Sequence, residues 1–366
     1  MMNKDNLTRI KFIMVSLLVV MGIVVFILNF RMTAQDPVTK VGVLLIGVSD
    51  DEGWNESHYN GLKTACEINK CIMCMRQSVP EEGPSVERAV AELVEEGCSV
   101  IFLTSYGYGG FADSVAGEYP DVAFYCISGD FSAKNCMSYF ARMYQARYLA
   151  GIVAGAGSES GILGYVSAMA IPETVRSVNA YAMGARKADP SAKVLVKYTG
   201  SWDDKEAEEA ATRELAAAGA DVITFHEDKP YAIDLADEMG LYTTGYDYVS
   251  GGYSERLLTA AVFDWGMLYN RVLGDYLSGR ANFSNDYWLG LKEGAVSLYP
   301  CSELVSEETK AFVSEEEKRI QSWRDVFSGE IRDNTGTVRC SENERISDDE
   351  LFNSIDWYVE GVEIYE

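Results

Sequence analysis

From Lys40 onward the chain alternates short apolar runs with longer stretches in which apolar residues recur at helical spacing. The runs are Val41–Ile46, Ser99–Leu103 and Val122–Cys126, then Gly161–Val166, Ala192–Val196 and Ala220–Phe225. Apolar runs of this length without polar alternation predict strands buried on both faces. Between them Glu87–Val94, ending at Gly97, Tyr144–Ala154, and Glu206–Ala218, ending at Gly219, carry helical periodicity and glycine stops. Strand–helix alternation of this kind predicts an α/β fold with a parallel, doubly wound sheet. The pattern restarts near Gly161, after the helix, which predicts two similar α/β lobes.

Ahead of this region lies one different segment. Residues 1–11 carry Lys4, Arg9 and Lys11 against Asp5 alone, and residues 12–30 are apolar except for Ser16, Gly22 and Asn29. Such a run suits about 30 Å of hydrocarbon as a helix. The basic flank predicts that residues 1–11 stay cytoplasmic, that 12–30 form a transmembrane signal-anchor, and that 31–39 are a linker to an extracytoplasmic domain. A cleaved signal peptide is the alternative, although Met32-Thr33-Ala34 places Met where a small residue is preferred.

Charge and composition narrow the function. With 56 acidic and 31 basic residues the formal net charge is −25, a field that repels nucleic acid. Eight cysteines fit an oxidising compartment, with Cys98 and Cys126 expected in the core and the rest free to pair in a connectivity that the sequence does not give. Cys71 and Cys74 have zinc-like spacing, but two histidines, His58 and His226, leave too few ligands, so no metal and no cofactor are expected. Nor is an enzyme expected. There is no nucleophile elbow, Walker loop or His-Glu-x-x-His, and the glycines at 155, 157 and 161 precede a strand instead of opening a helix.

Ligands of open α/β sheets bind beyond the carboxyl ends of the strands, so the residues just after each run carry the function. These are Gly53-Trp54-Asn55, Ser105-Tyr106, Ser201-Trp202, His226-Glu227-Asp228 and Gly245-Tyr246-Asp247. Trp54 and Trp202 are expected on matching loops of the two lobes, clamping a flat ring whose polar edge is read by nearby amides and carboxylates. The candidate ligand-binding set is therefore Trp54, Asn55, Tyr106, Trp202, His226, Asp228, Tyr246 and Asp247. Arg176 is expected in an ion pair, the acidic loop Asp50-Asp51-Glu52 in solvent, and the tail 347–366 on the second lobe near the hinge.

Further segments carry a family resemblance: Tyr148–Gly155, Ile171–Arg176, Gly184-Ala185-Arg186, Gly219–Ile223, Asp264-Trp265-Gly266, Tyr287–Gly290 and Asp356–Val362. In their order they resemble the basic membrane protein family of bacterial solute-binding proteins, the purine-nucleoside-receptor-like subunits of ABC transporters. The resemblance implies a type I periplasmic-binding fold over residues 40–366, with two lobes joined by three crossing segments. The expected division is about 40–157 plus 248–285 for lobe 1 and about 158–247 plus 286–366 for lobe 2. It also implies a purine nucleoside or nucleobase held between aromatic rings, with Asn55 reading the base and Asp247 accepting from ribose hydroxyls. The lysine common to nucleoside binders is missing around Val262-Phe263-Asp264, which leaves a free base or another heterocycle in play. The implied function is capture of a small molecule for an ABC permease. The alternative is a membrane-tethered sensor signalling to a regulatory partner.

Overall fold

The computed structural model describes residues 13–14, 16–23, 38–129, 131–247, 249, 254–284, 286–322 and 324–365. The chain divides into two units, residues 1–39 and 40–366. In the first, residues 13–14 and 16–23 are helical. Among the described residues no helix is long and apolar enough to cross a membrane. The rest of the span expected over 12–30 lies outside the described residues.

The second unit begins with β1 (Lys40–Leu44), α1 (Trp54–Asn69), β2 (Ile72–Arg76), α2 (Gly83–Glu95), β3 (Cys98–Leu103), α3 (Gly109–Glu118), β4 (Ala123–Ile127) and β5 (Cys136–Ala141). It continues with α4 (Met143–Gly157), β6 (Ile162–Ser167), α5 (Pro172–Ala188), β7 (Lys193–Tyr198), α6 (Lys205–Ala217), β8 (Val222–His226), α7 (Tyr231–Glu238), β9 (Tyr242–Asp247) and β10 (Leu257–Phe263). After these come α8 (Trp265–Leu277), β11 (Tyr287–Leu289), β12 (Val296–Leu298), α9 (Glu307–Ser322), β13 (Ile331–Arg332), β14 (Val338–Cys340) and β15 (Val362–Ile364).

The first sheet runs β11-β5-β4-β3-β1-β2 and the second β12-β10-β9-β8-β6-β7-β15. Each therefore contains one doubly wound order, second-first-third-fourth-fifth, with parallel pairing throughout those five strands. β12 joins antiparallel to β10, and β15 extends the other edge of the second sheet parallel to β7. The doubly wound α/β fold and the restart near residue 161 are as the apolar pattern predicts. In each sheet the strand order reverses between the first and third strands, which is where such folds open a crevice.

Local chemistry fixes the helix starts. Asp51 accepts from the backbone N–H of Gly53, Asn55 and Glu56 at 3.1, 3.3 and 2.9 Å and so anchors α1, while its neighbours Asp50 and Glu52 stand in solvent as expected. Asp204 caps α6 through Ala207 N–H at 3.0 Å, and Asp264 caps α8 through Met267 N–H at 2.8 Å. Gly219 ends the α6 turn with φ +102°, a conformation glycine adopts without a Cβ penalty.

The lobe boundaries differ from those expected. α4 packs on α5 in the second lobe, not on the first, so the chain first crosses at Arg142. The reason is steric: a Cβ on Gly151 would strike the Tyr181 carbonyl oxygen, and one on Gly184 would strike that of Tyr148. Glycine at these positions lets the two helix backbones touch, which explains the Tyr148–Gly155 and Gly184 segments. β10 also belongs to the second sheet, pairing Ala260 with Gly245 of β9, so the chain returns at Asp264 and not near residue 248. The last crossing lies between β11 and β12.

Cys98 and Cys126 are buried, and all eight cysteines are free thiols. Arg176 is buried, with no ion pair among the described residues. Its guanidinium donates to Leu351 O at 3.2 Å and lies 5.5 Å from the rings of Trp288 and Phe352. The tail packs on the second lobe as expected: Asn179 bonds Trp357 O and Val359 N–H at 2.8 and 2.9 Å.

Candidate functional site

Between the carboxyl ends of the two sheets lies a narrow, nearly shut cleft with a cavity volume of about 40 Å³. Its walls are Ile46, Trp54, Ser105, Tyr106 and Ile127 from the first lobe and Glu173, Trp202, Glu227, Asp228 and Tyr246 from the second. Every one of these residues lies at or just beyond a strand end or at a helix start. A wider groove at the back of the hinge, bordered by Arg142, Lys292 and Arg345, has no aromatic wall among its lining residues.

Five of the eight candidates line the cleft: Trp54, Tyr106, Trp202, Asp228 and Tyr246. Trp54 donates its indole N–H to Thr104 O at 2.8 Å, which fixes the ring and leaves it as an apolar wall. Tyr246 is held from behind by Arg147, which is wholly buried, stacks 4.2 Å from the Tyr246 ring and donates to Phe225 O at 2.6 Å. Tyr106 is 45% exposed and sits at the rim. The two tryptophans are not on matching loops. Trp54 follows the first strand of its lobe, whereas Trp202 follows β7, the second strand of the other. They meet at one cavity because both loops lie at carboxyl ends beside the crevice.

Three candidates lie outside the lining. Asn55 spends its amide within its own lobe, accepting from Gly47 N–H at 3.0 Å and donating to Asp51 at 2.7 Å. His226 is buried beneath Tyr246, 4.2 Å from that ring and 3.7 Å from Glu173 Oε1, and burial holds its pKa down to about 4. Asp247 has φ +63° and turns its carboxylate across to the first lobe. There it accepts from the Ser57 hydroxyl at 3.0 and 3.2 Å and from the Trp265 indole N–H at 3.3 Å, while burial lifts its pKa to about 7. Trp265 packs with Phe263 at 4.4 Å, His58 at 4.0 Å and Trp54 at 5.5 Å. Rings occupy the space beside Asp247.

Sequence reasoning missed Ile46, Ser105, Ile127, Glu173 and Glu227 as wall residues. Glu227 had a signal, since it stands between two candidates in one post-strand loop. Glu173, at the start of α5, accepts from Ser128 Oγ at 3.2 Å, a bond that joins the lobes across the cleft. Trp54 N–H adds another such bond, to Asp228 O at 3.3 Å. The lobes are closed on one another. Electrostatically the second-lobe wall is acidic: burial pushes Glu227 up to about 10 and raises Asp228 well above the usual carboxylate range.

Two lobes of this order, closing over a ring-lined crevice, define a type I periplasmic-binding, solute-binding domain. Solved structures agree on the fold. An ABC transporter solute-binding protein of Aeropyrum pernix superposes with TM-score 0.67 at 18% identity, over 78% of this chain and 91% of that one. A Bacillus halodurans transcriptional activator of the comK gene gives 0.69 at 23% identity, over 77% and 98%. Residues 38–328 match the family model "ABC transporter substrate-binding protein PnrA-like", and the chain belongs to that family of ABC transporter solute-binding proteins. A purine-binding protein of Brucella abortus is 32% identical over 88% of this chain and 93% of its own length. A Haloferax volcanii protein named as an ABC transporter glucose-binding protein is 34% identical over 76% and 68%.

Proposed function

We propose that this protein captures a free purine base in the inter-lobe cleft outside the cytoplasm and delivers it, lobes closed, to an ABC permease. The observation that carries this reading is the state of Asp247. Its carboxylate is committed to Ser57 and Trp265, and aromatic rings fill the space beside it. A ribose would find no free acceptor there, so the reading moves from nucleoside to base. The indoles of Trp54 and Trp202 and the ring of Tyr246 offer flat apolar walls, and Ser105, Glu173, Glu227 and Asp228 offer polar atoms at the edges. The kinship with a purine-binding protein supports the same ligand class. Membrane attachment through residues 12–30 completes the reading and rests on their composition.

Closure is driven by a ligand that touches both lobes, because only differential contacts shift an open–closed equilibrium. The test is tryptophan fluorescence of the domain from Lys40 onward during titration with adenine, guanine and hypoxanthine. A saturable change that shrinks in Trp202→Ala supports the reading. A flat signal in the wild type, with no heat in calorimetry, overturns it.

A further inference from the structure

Glu227 is 2% exposed, lines the cleft, and has no lysine or arginine within ion-pair distance among the described residues. Its Oε1 accepts from the Thr199 hydroxyl at 2.8 Å, and its Oε2 has no hydrogen-bond partner among the described residues. The groups facing it are acids and a phenol: Glu208 from α6, Asp203 from the loop before that helix, Asp228 beside it and Tyr165 from β6. Lys229, the nearest cation in sequence, is spent on Asp203 at 3.1 Å. Glu208 itself is fully buried. A buried anion in such surroundings has nothing to balance it. We propose that Glu227 works as a neutral carboxylic acid whose Oε2–H donates to a ring nitrogen of the bound base while Oε1 accepts from an adjacent N–H, so that capture is coupled to uptake of one proton.

The chemistry fits both partners, and it rests on the reading that the ligand is a purine base. A carboxylic acid presents one donor beside one acceptor. A free purine presents the same pair in reverse at N3 and N9–H, an edge that a nucleoside loses to its sugar. In the open form Glu227 meets water and ionises near the ordinary carboxylate range. Closure removes that water, and the proton comes from solvent. The direction agrees with the upward shift of Glu227 in the closed form.

The experiment is calorimetric titration of the domain with adenine at pH 7.5 in two buffers of different ionisation enthalpy, which counts protons exchanged on binding. The expected result is uptake of about one proton per adenine, with affinity falling up to about tenfold per pH unit between pH 7 and 8.5. In Glu227→Gln, a neutral side chain of nearly the same shape, the uptake drops by about one proton. Wild-type binding with no proton exchange overturns the proposal without recourse to any variant. An uptake unchanged in Glu227→Gln also overturns it, because the proton then goes to Asp228, Glu208 or Asp247. If no purine base binds at any pH, the purine reading itself has failed.

Discussion

Gly53 and Asp228 meet face to face across the cleft: a Cβ on Gly53 would collide with the Asp228 carbonyl oxygen. The next residue, Trp54, donates its backbone N–H to that same oxygen at 3.3 Å. The start of α1 and the loop after β8 are thus the surfaces on which the lobes close, and glycine is what permits the approach. Its φ of −152° lies outside the left-handed region, and what a Cβ would meet is the opposing lobe.

Gly53→Ala therefore separates closure from folding. The variant should melt within a few degrees of the wild type, while affinity for the ligand falls by about tenfold or more, roughly 1.4 kcal/mol. Small-angle scattering with saturating adenine should show the wild type contracting and the variant remaining extended. A variant that contracts and binds normally would place the closing surface elsewhere.

Between α4 and α5 the same steric logic concerns stability. Gly184→Ala forces a methyl group against the Tyr148 carbonyl oxygen, and the helices have no side chain there to move aside. Overpacking of this kind costs about 1–3 kcal/mol. Denaturant unfolding should show a lower midpoint with little change in slope, and ligand affinity under native conditions should stay close to wild type.

The buried acids set a pH dependence of definite sign. Folded values of about 10 for Glu227, about 8 for Glu208 and about 7 for Asp247 stand against ordinary values of 4.5, 4.5 and 3.8. Between each ordinary value and the folded one, the folded chain keeps a proton that the unfolded chain has released, so stability falls as pH rises. His226 runs the other way: its folded value of about 4 against 6.5 makes stability rise with pH up to about 6.5 and then level off. Above about pH 6.5 the acids act alone. The closed, adenine-saturated domain should melt at a lower temperature at pH 9 than at pH 6.5, and Glu227→Gln should reduce that difference. A melting temperature that climbs over this interval would contradict the burial of neutral acids.

Trp265 is the residue expected to choose base over nucleoside. Trp265→Ala removes the indole that bonds Asp247 at 3.3 Å and opens space among Phe263, His58 and Trp54. The ratio of adenine to adenosine affinity should shift toward adenosine by about tenfold, read by parallel titrations. No shift would remove Trp265 and Asp247 from the account of specificity.

Much of this architecture was legible in the chain. Fully buried strands such as β3 and β8 announce themselves as unbroken apolar runs, and Gly219 marks the end of a helix. β2 was harder, because Ile72–Arg76 is a short strand at the sheet edge whose residues are all partly exposed. The placement of α4 was hidden for a different reason: its neighbour is decided by where Gly151 and Gly184 let backbones touch, and that is a property of two helices together. At the site, rings were readable and hydrogen-bond commitments were not. Trp54, Trp202 and Tyr246 stand at strand ends, where position alone suffices. Asn55 and Asp247 have chemistry suited to a ligand but spend it on Gly47, Asp51, Ser57 and Trp265, which sequence order does not reveal.

The central claim is that the cleft takes a free purine base in preference to its nucleoside. The direct measurement is calorimetry of the domain from Lys40 onward with adenine, adenosine and glucose at one pH. The account predicts saturable, roughly one-to-one binding of adenine, with adenosine weaker by about tenfold or more and no heat from glucose. Tighter binding of adenosine, or binding of glucose with neither purine, would contradict it.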